Sequence, residues 1–228
     1  MIPILYDKTE TQFTSGGIGF LTDCASCVVT EELNGIYECE FTYPVTGPRY
    51  SELLENRIVY VTHDDSKVPQ PFDIYSHSAP INGLVTFNAH HISYRLSNIV
   101  IRDGIGVNVA AAMSMIGSSS LMTNPFTGHT DMTDNRNYKL KDPLAVRTVL
   151  NGDENSIVSF YGGELEFDKF DVNLLQRRGR DTDVEIRYGK NLKDITDKVD
   201  TAETYNAIVP YWFSDDYTQK VLLNSGYV

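Results

Sequence analysis

Between residues 26 and 45 the chain reads "SCVVTEELNGIYECEFTYPV", and the Asn34-Gly35 pair at its centre constrains the fold more than any other feature. Residues 27 to 32 and 36 to 45 alternate apolar with polar side chains, the period of a strand with one buried face. Asn-Gly is the strongest short hairpin signal because both residues tolerate left-handed backbone, so the two segments are expected to pair antiparallel. The chain therefore starts by building sheet.

The rest of the first hundred residues extends that reading. "ILYD" (4 to 7), "RIVYVT" (57 to 62), "PFDIYSHSAP" (71 to 80) and "GLVTFNAHHISYRLSN" (83 to 98) read as further strands. Polar or Pro-bearing turns separate them at the spacing of a sandwich or small barrel. From Ile105 the period changes. "GVNVAAAMSMIG" predicts a helix stopped by Gly117 and the serines after it. Residues 122 to 142 are polar and turn-rich, with room for one strand or none. Asp142-Pro143 then supplies an N-cap and a first-turn proline for a second short helix, "LAVRTVLNG". From Ser156 alternation returns and predicts three strands, with turns near Gly162-Gly163, Asp168-Lys169 and Arg178-Gly179. "DVEIRYGKNLKDITDKVDTAETYNAIVPYW" (183 to 212) opens as a strand and leads into another β segment that holds barely two strands before Val228.

Composition narrows the function. Acidic residues outnumber basic ones 31 to 19, a formal charge of −12, which argues against a surface that grips nucleic-acid phosphates. No window reaches the roughly 20 apolar residues of a membrane span, and the start "MIPILYDKTET" lacks an export signal, so a cytoplasmic site of synthesis is expected. Three cysteines, an odd number, suit a reducing compartment.

Candidate chemistry is sparse. Cys24 and Cys27 form C-x-x-C, with Cys39 beyond, but there is neither a second close pair for zinc nor the strand-to-helix setting of a redox motif; small buried residues in a strand are expected. His90 and His91 are successive strand residues and point to opposite faces, which disfavours shared ligation. His63-Asp64-Asp65 reads as a solvated loop. Glu164 and Glu166 alternate with Leu165 and Phe167, the pattern of a strand with a wet face rather than an acid/base pair. Gly189-Lys190 lacks the earlier glycine and the following Ser or Thr of a phosphate loop. No catalytic, cofactor-binding or metal residue is assigned, and no cofactor is expected.

Four strings in register carry a resemblance: "MIPILYDKTETQF", "GIGFLTDCASCVVTEELNGIYECEFTYPVTG", "NAHHISYRLSN" and the run from "YGGELEFDKFDVNLLQRRGRD" to "YNAIVPY". Together they resemble the N-terminal region of phage minor structural proteins, the tail-associated hub or prophage endopeptidase tail family. The resemblance implies a β-rich α+β fold: a barrel-like antiparallel β domain (1 to 98), an inserted α+β domain (99 to 190) and the start of a second barrel-like domain (191 to 228). On that layout the chain is expected to be a truncated or short form, or to lend its last strands to a neighbour.

The implied role is structural and not enzymatic. The protein would form a homotrimeric hub at the distal tail tip of a virion assembled in the bacterial cytoplasm. It would meet the distal tail protein and the tail tube or tape-measure proteins, and DNA would pass through without specific binding. Any lytic activity belongs to a more C-terminal region of the family. A wall of carboxylates suits such a passage, and ordinary solubility accounts for the same charge. The competing readings are a peptidoglycan hydrolase and a sugar-binding adhesin module, the latter favoured if Tyr60, Tyr75, Tyr94 or Trp212 line an exposed groove.

Overall fold

The computed structural model describes residues 2–62 and 68–179, residues 185, 187, 188 and 190, and the backbone of 211–213 and 220–222. The chain divides into two units, Met1–Arg180 and Asp181–Val228.

The first unit opens with seven strands: β1 (Ile4–Tyr6), β2 (Gly19–Phe20), β3 (Ser26–Glu31), β4 (Tyr37–Pro44), β5 (Ile58–Val61), β6 (Gln70–His77) and β7 (Leu84–His91). They form one antiparallel sheet in the order β2-β1-β5-β6-β7-β4-β3, curled into a half-barrel. The hairpin expected at Asn34-Gly35 is present, pairing Glu31 with Tyr37 and Ser26 with Thr42. Its left-handed residue is Asn34 (φ 53°), while Gly35 is needed for space, since a Cβ there would lie 2.9 Å from that of Glu32. Alternation along β4 and β7 buries Tyr37, Phe41, Val85 and Phe87 on the concave side, and leaves Glu38, Thr42, Asn88 and His90 on the other.

Residues 83 to 98 are not one strand. After His91 the chain turns into a 3-10 helix, Ile92–Asn98, because His91 Nδ1 accepts the N–H of Ser93 and Ile92, Leu96 and Ile99 fall at helical spacing on a buried face. Strands β8 (Val100–Ile101) and β9 (Gly104–Gly106) lead to helix α1 (Val109–Ser118), capped by Asn108, whose Oδ1 accepts from Ala111 N at 2.7 Å. The polar stretch then holds two strands where one or none was expected: β10 (Thr127–Thr130) and β11 (Tyr138–Leu140).

Asp142 does not cap the second helix. Leu144–Ala145 forms β12 against β8, and α2 (Val146–Asn151) begins with the Val146 N–H donated to Ile99 O at 2.8 Å. The extended backbone that Pro143 imposes on its predecessor favours this continuation into strand. The segment from Ser156 opens with helix α3 (Ile157–Tyr161), capped by Ser156 and ended by Gly162 at φ 77°, not with a strand. Ile157 and Tyr161 are buried one helical turn apart, a spacing that outweighs local alternation. β13 (Glu164–Asp168) and β14 (Asp171–Leu175) follow as the expected hairpin, with β10 parallel to β14.

Two large apolar clusters result, beside a small one of Tyr6, Phe13 and Ile58. One fills the half-barrel around Phe41, Phe72 and Phe87; the other joins α1, α2 and α3 to β13 and β14 around Met113, Ile116, Leu150 and Leu174. Phe167, on β13, packs against both. In the second unit β15 (Tyr211–Phe213) pairs antiparallel with β16 (Lys220–Leu222). The fold is α+β and β-rich, with few helices.

Candidate functional site

The outer face of the half-barrel carries the chemistry. Between Ile74 and Ser76 the register of β6 on β7 shifts by one residue, so Tyr75 is the extra residue of a β-bulge. The bulge places its ring, 45% exposed, outside the sheet. There it stacks on His90 (5.0 Å, 15°), His90 stacks on Tyr94 (4.8 Å, 12°), and the Arg147 guanidinium lies 3.9 Å from the Tyr94 ring centre. Four planar groups from β6, β7, the 3-10 helix and α2 thus form one rigid ladder. Among the described residues no hydrogen bond reaches the His90 ring. Burial holds its pKa below the ordinary value, against the opposing pull of Asp73 and Glu38 and with the support of Arg147 and Arg95.

A groove of about 690 Å³ runs beside the ladder, walled by Lys8, Asn56, Asp73, Tyr75, Arg95 and Asn98. Asp73 and Arg95 are a fork-to-fork pair, Nε to Oδ2 at 2.7 Å and Nη2 to Oδ1 at 2.6 Å. Asp73 is nearly buried and is held by this contact. On the other side of Tyr75 a smaller hollow of about 170 Å³ is bordered by Thr30, Glu38, Glu40 and Asn88.

Behind the sheet a second polar network faces the β13–β14 hairpin. Gln70, buried, accepts the N–H of Lys169 at 2.8 Å and donates to Asp168 Oδ1 at 3.0 Å. His91 is fully buried, its ring 4.5 Å from that of Tyr37, with Nε2 3.3 Å from Gln70 Oε1. Since Nδ1 accepts from Ser93 N, Nε2 carries the proton. The two adjacent histidines thus serve opposite faces, as the strand period requires.

The other residues weighed from the sequence fall apart as sites. Cys27 Sγ lies 3.6 Å from Cys39 Sγ and all three thiols are free. The Cys24 thiol pulls the Cys27 pKa down, but Cys39 and burial together push it up to about 12. Cys24 is raised as well, chiefly by its hydrogen bond with Cys27, so both are weak nucleophiles. Glu164 and Glu166 share Arg178: Glu164 Oε2 accepts its backbone N–H at 2.7 Å, and Glu166 Oε1 lies 3.9 Å from its Nε. Among the described residues no group of His, Cys, Asp and Glu is placed to hold a metal, and no helix is long and apolar enough to cross a membrane. Tyr60 is half-buried and stacked 5.0 Å from Phe13, away from the groove that Tyr75 and Tyr94 line. His63, Asp64, Asp65, Gly189 and the Trp212 side chain lie outside the described residues; Lys190 donates its N–H to Arg187 O at 3.2 Å.

The bulge, the Asp73–Arg95 pair and the cation over Tyr94 were not foreseen. Only the bulge leaves a trace in the sequence: the adjacent bulky residues Ile74-Tyr75 break the alternation of β6.

The architecture is one found in phage tail proteins. The chain is similar to the prophage tail protein gp18 from Listeria monocytogenes EGD-e, with a TM-score of 0.65 at 16% identity over 99% of this chain and 68% of that one. It is also similar to the tail protein from Neisseria meningitidis MC58, with a TM-score of 0.52 at 10% identity over 87% of this chain and 62% of that one. At these identities the likeness establishes a shared fold. No family model and no curated protein matches the sequence.

Proposed function

We propose that the chain is a structural component of a phage or prophage tail, the hub at the distal tip. It would assemble as a homotrimer that joins the tail tube and the distal tail protein to the tip and surrounds the DNA passage. The observation that carries this reading is the likeness to a prophage tail protein across 99% of the chain. Residues 1 to 98 and 99 to 190 would be the first barrel-like domain and its α+β insertion, and 191 to 228 would begin a second barrel-like domain.

Two physical features support assembly. The half-barrel sheet ends in β2 and β3, and a strand edge such as β3, with Val28 exposed, is a template for pairing with another chain. A net charge of −12 suits a passage that must not retain a polyanion. No step of this role requires catalysis.

The test is the mass of the purified chain in solution together with negative-stain images. A three-fold ring with an opening about as wide as a DNA duplex is expected. A monomer at every accessible concentration removes the hub assignment. Zymography on cell walls checks the non-catalytic part, and a cleared band from this chain would overturn it.

A further inference from the structure

A purely mechanical role makes no use of the groove beside Tyr75, and its chemistry is specific enough to name a ligand class. We propose that this groove binds a short neutral oligosaccharide, with one sugar ring laid on the exposed face of Tyr75.

Size and shape come first. About 690 Å³ falls within the usual range of small-molecule sites, and the hollow of about 170 Å³ beyond Tyr75 lets a chain of rings continue over the bulge. The lining mixes apolar, neutral polar and charged groups. Thr9, Asn56, Ser97 and Asn98 offer groups that donate or accept, the match for hydroxyls that do both. The His90 ring, which has no hydrogen-bond partner among the described residues, adds a donor and an acceptor at the same wall.

Tyr75 supplies the apolar contact. One face of its ring is taken by His90, and 45% exposure leaves the rest of the ring to meet the C–H face of a pyranose. Tyr94 and Arg147 back the stack from behind, so the platform is fixed before a ligand arrives and little side-chain entropy is lost on binding. A bulge that turns one aromatic residue out of a sheet is a recurrent way of aiming a side chain at a ligand.

Charge selects within the class. Lys8 and Arg95 face Asp73 in the main groove, and Glu38 and Glu40 border the hollow on the far side. Arg95 is already committed to Asp73 through both prongs of its guanidinium. An isolated Lys8 is a poor phosphate cradle, and the two ends of the trough offset one another, so the fit is to an uncharged chain.

The inference does not rest on the assembly role: it concerns the isolated chain and needs no virion. Saturation-transfer NMR of the purified protein with millimolar chitotriose and, separately, maltotriose tests it. Transfer to ring protons of at least one sugar is expected, and Tyr75→Ala should weaken that binding roughly tenfold. Tyr75→Ala also gives up the stack on His90 and should melt somewhat below the wild type, so binding is compared well below both melting points. Asn98→Ala, elsewhere in the groove lining, should weaken binding too, and Val28→Ala, on β3, should not. No transfer from either sugar, or transfer unchanged in both groove variants, overturns the proposal.

Discussion

Asn34 Oδ1 accepts the backbone N–H of Leu165 at 2.6 Å, a hydrogen bond across 131 residues of chain, while Asn34 Nδ2 donates to Gly163 O at 3.1 Å. The side-chain amide thus serves the edge of β13 as a neighbouring strand would, and Asn151 Nδ2 returns a bond of 2.6 Å to Asn34 O. One turn residue ties the half-barrel to the helical half of the unit.

Replacing Asn34 by glycine keeps the left-handed turn and removes the amide. The Leu165 N–H then loses its partner in a part-buried setting, so Asn34→Gly should cost about 1–3 kcal/mol of stability. Denaturant titration measures the cost, and amide hydrogen exchange should speed up first at Leu165. Unchanged exchange there would show that the bond contributes nothing in solution.

Gln70 does the same work at the opposite end of β13, through Lys169 N and Asp168 Oδ1. Gln70→Met keeps the length of the side chain but strands the Lys169 amide and removes one of the two donors to Asp168, Lys169 Nζ remaining at 3.1 Å. A loss of about 1–3 kcal/mol is expected. The Asp168 carboxyl resists burial and is held below its usual range by Gln70 and Lys169, so its stabilising share exists above the ordinary carboxylate pKa and fades as acid is added. The variant's deficit should therefore shrink toward low pH, as denaturation at pH 3 and pH 7 will show.

These two amides mark the limit of what a sequence discloses. Asn34 was legible as a turn and Gln70 as the residue before a strand, because alternation and turn chemistry are local. Their partners lie about a hundred residues away and depend on how the halves pack, which no local period encodes. The same holds for the groove: Tyr75 and Tyr94 could be named as candidates, but the His90 between them and the Arg147 behind them are brought together by four different elements. The misread segments, 92 to 98 and 157 to 161, are short helices whose apolar spacing fits only two or three residues, too few to outvote the alternation around them.

Gly128 carries a packing constraint. A Cβ there would meet Met113 O of α1 at 2.1 Å, backbone that cannot swing aside. Gly128→Ala should push α1 off β10 and cost at least about 1–3 kcal/mol. Gly179→Ala, with no atom of the described residues within 4 Å of the added Cβ, is the control and should be neutral in the same thermal melt.

His90 should make stability depend on pH in a defined direction. Its pKa in the folded protein is lowered from 6.5, chiefly by burial within the ladder, so as pH falls below 6.5 the unfolded chain takes up the proton first. Stability contributed by the neutral ring is then present above 6.5 and lost on the way down to the folded-state pKa; above 6.5 the residue contributes no slope. Asp73 and Glu38 moderate the loss, and Arg147 and Arg95 deepen it. His90→Phe preserves an aromatic ring between Tyr75 and Tyr94 and cannot titrate. Melting temperatures of the two proteins, measured from pH 8 to pH 5, should run parallel at the upper end and diverge below 6.5, with the wild type falling faster. Parallel curves throughout would show that His90 stays as easily protonated in the fold as outside it.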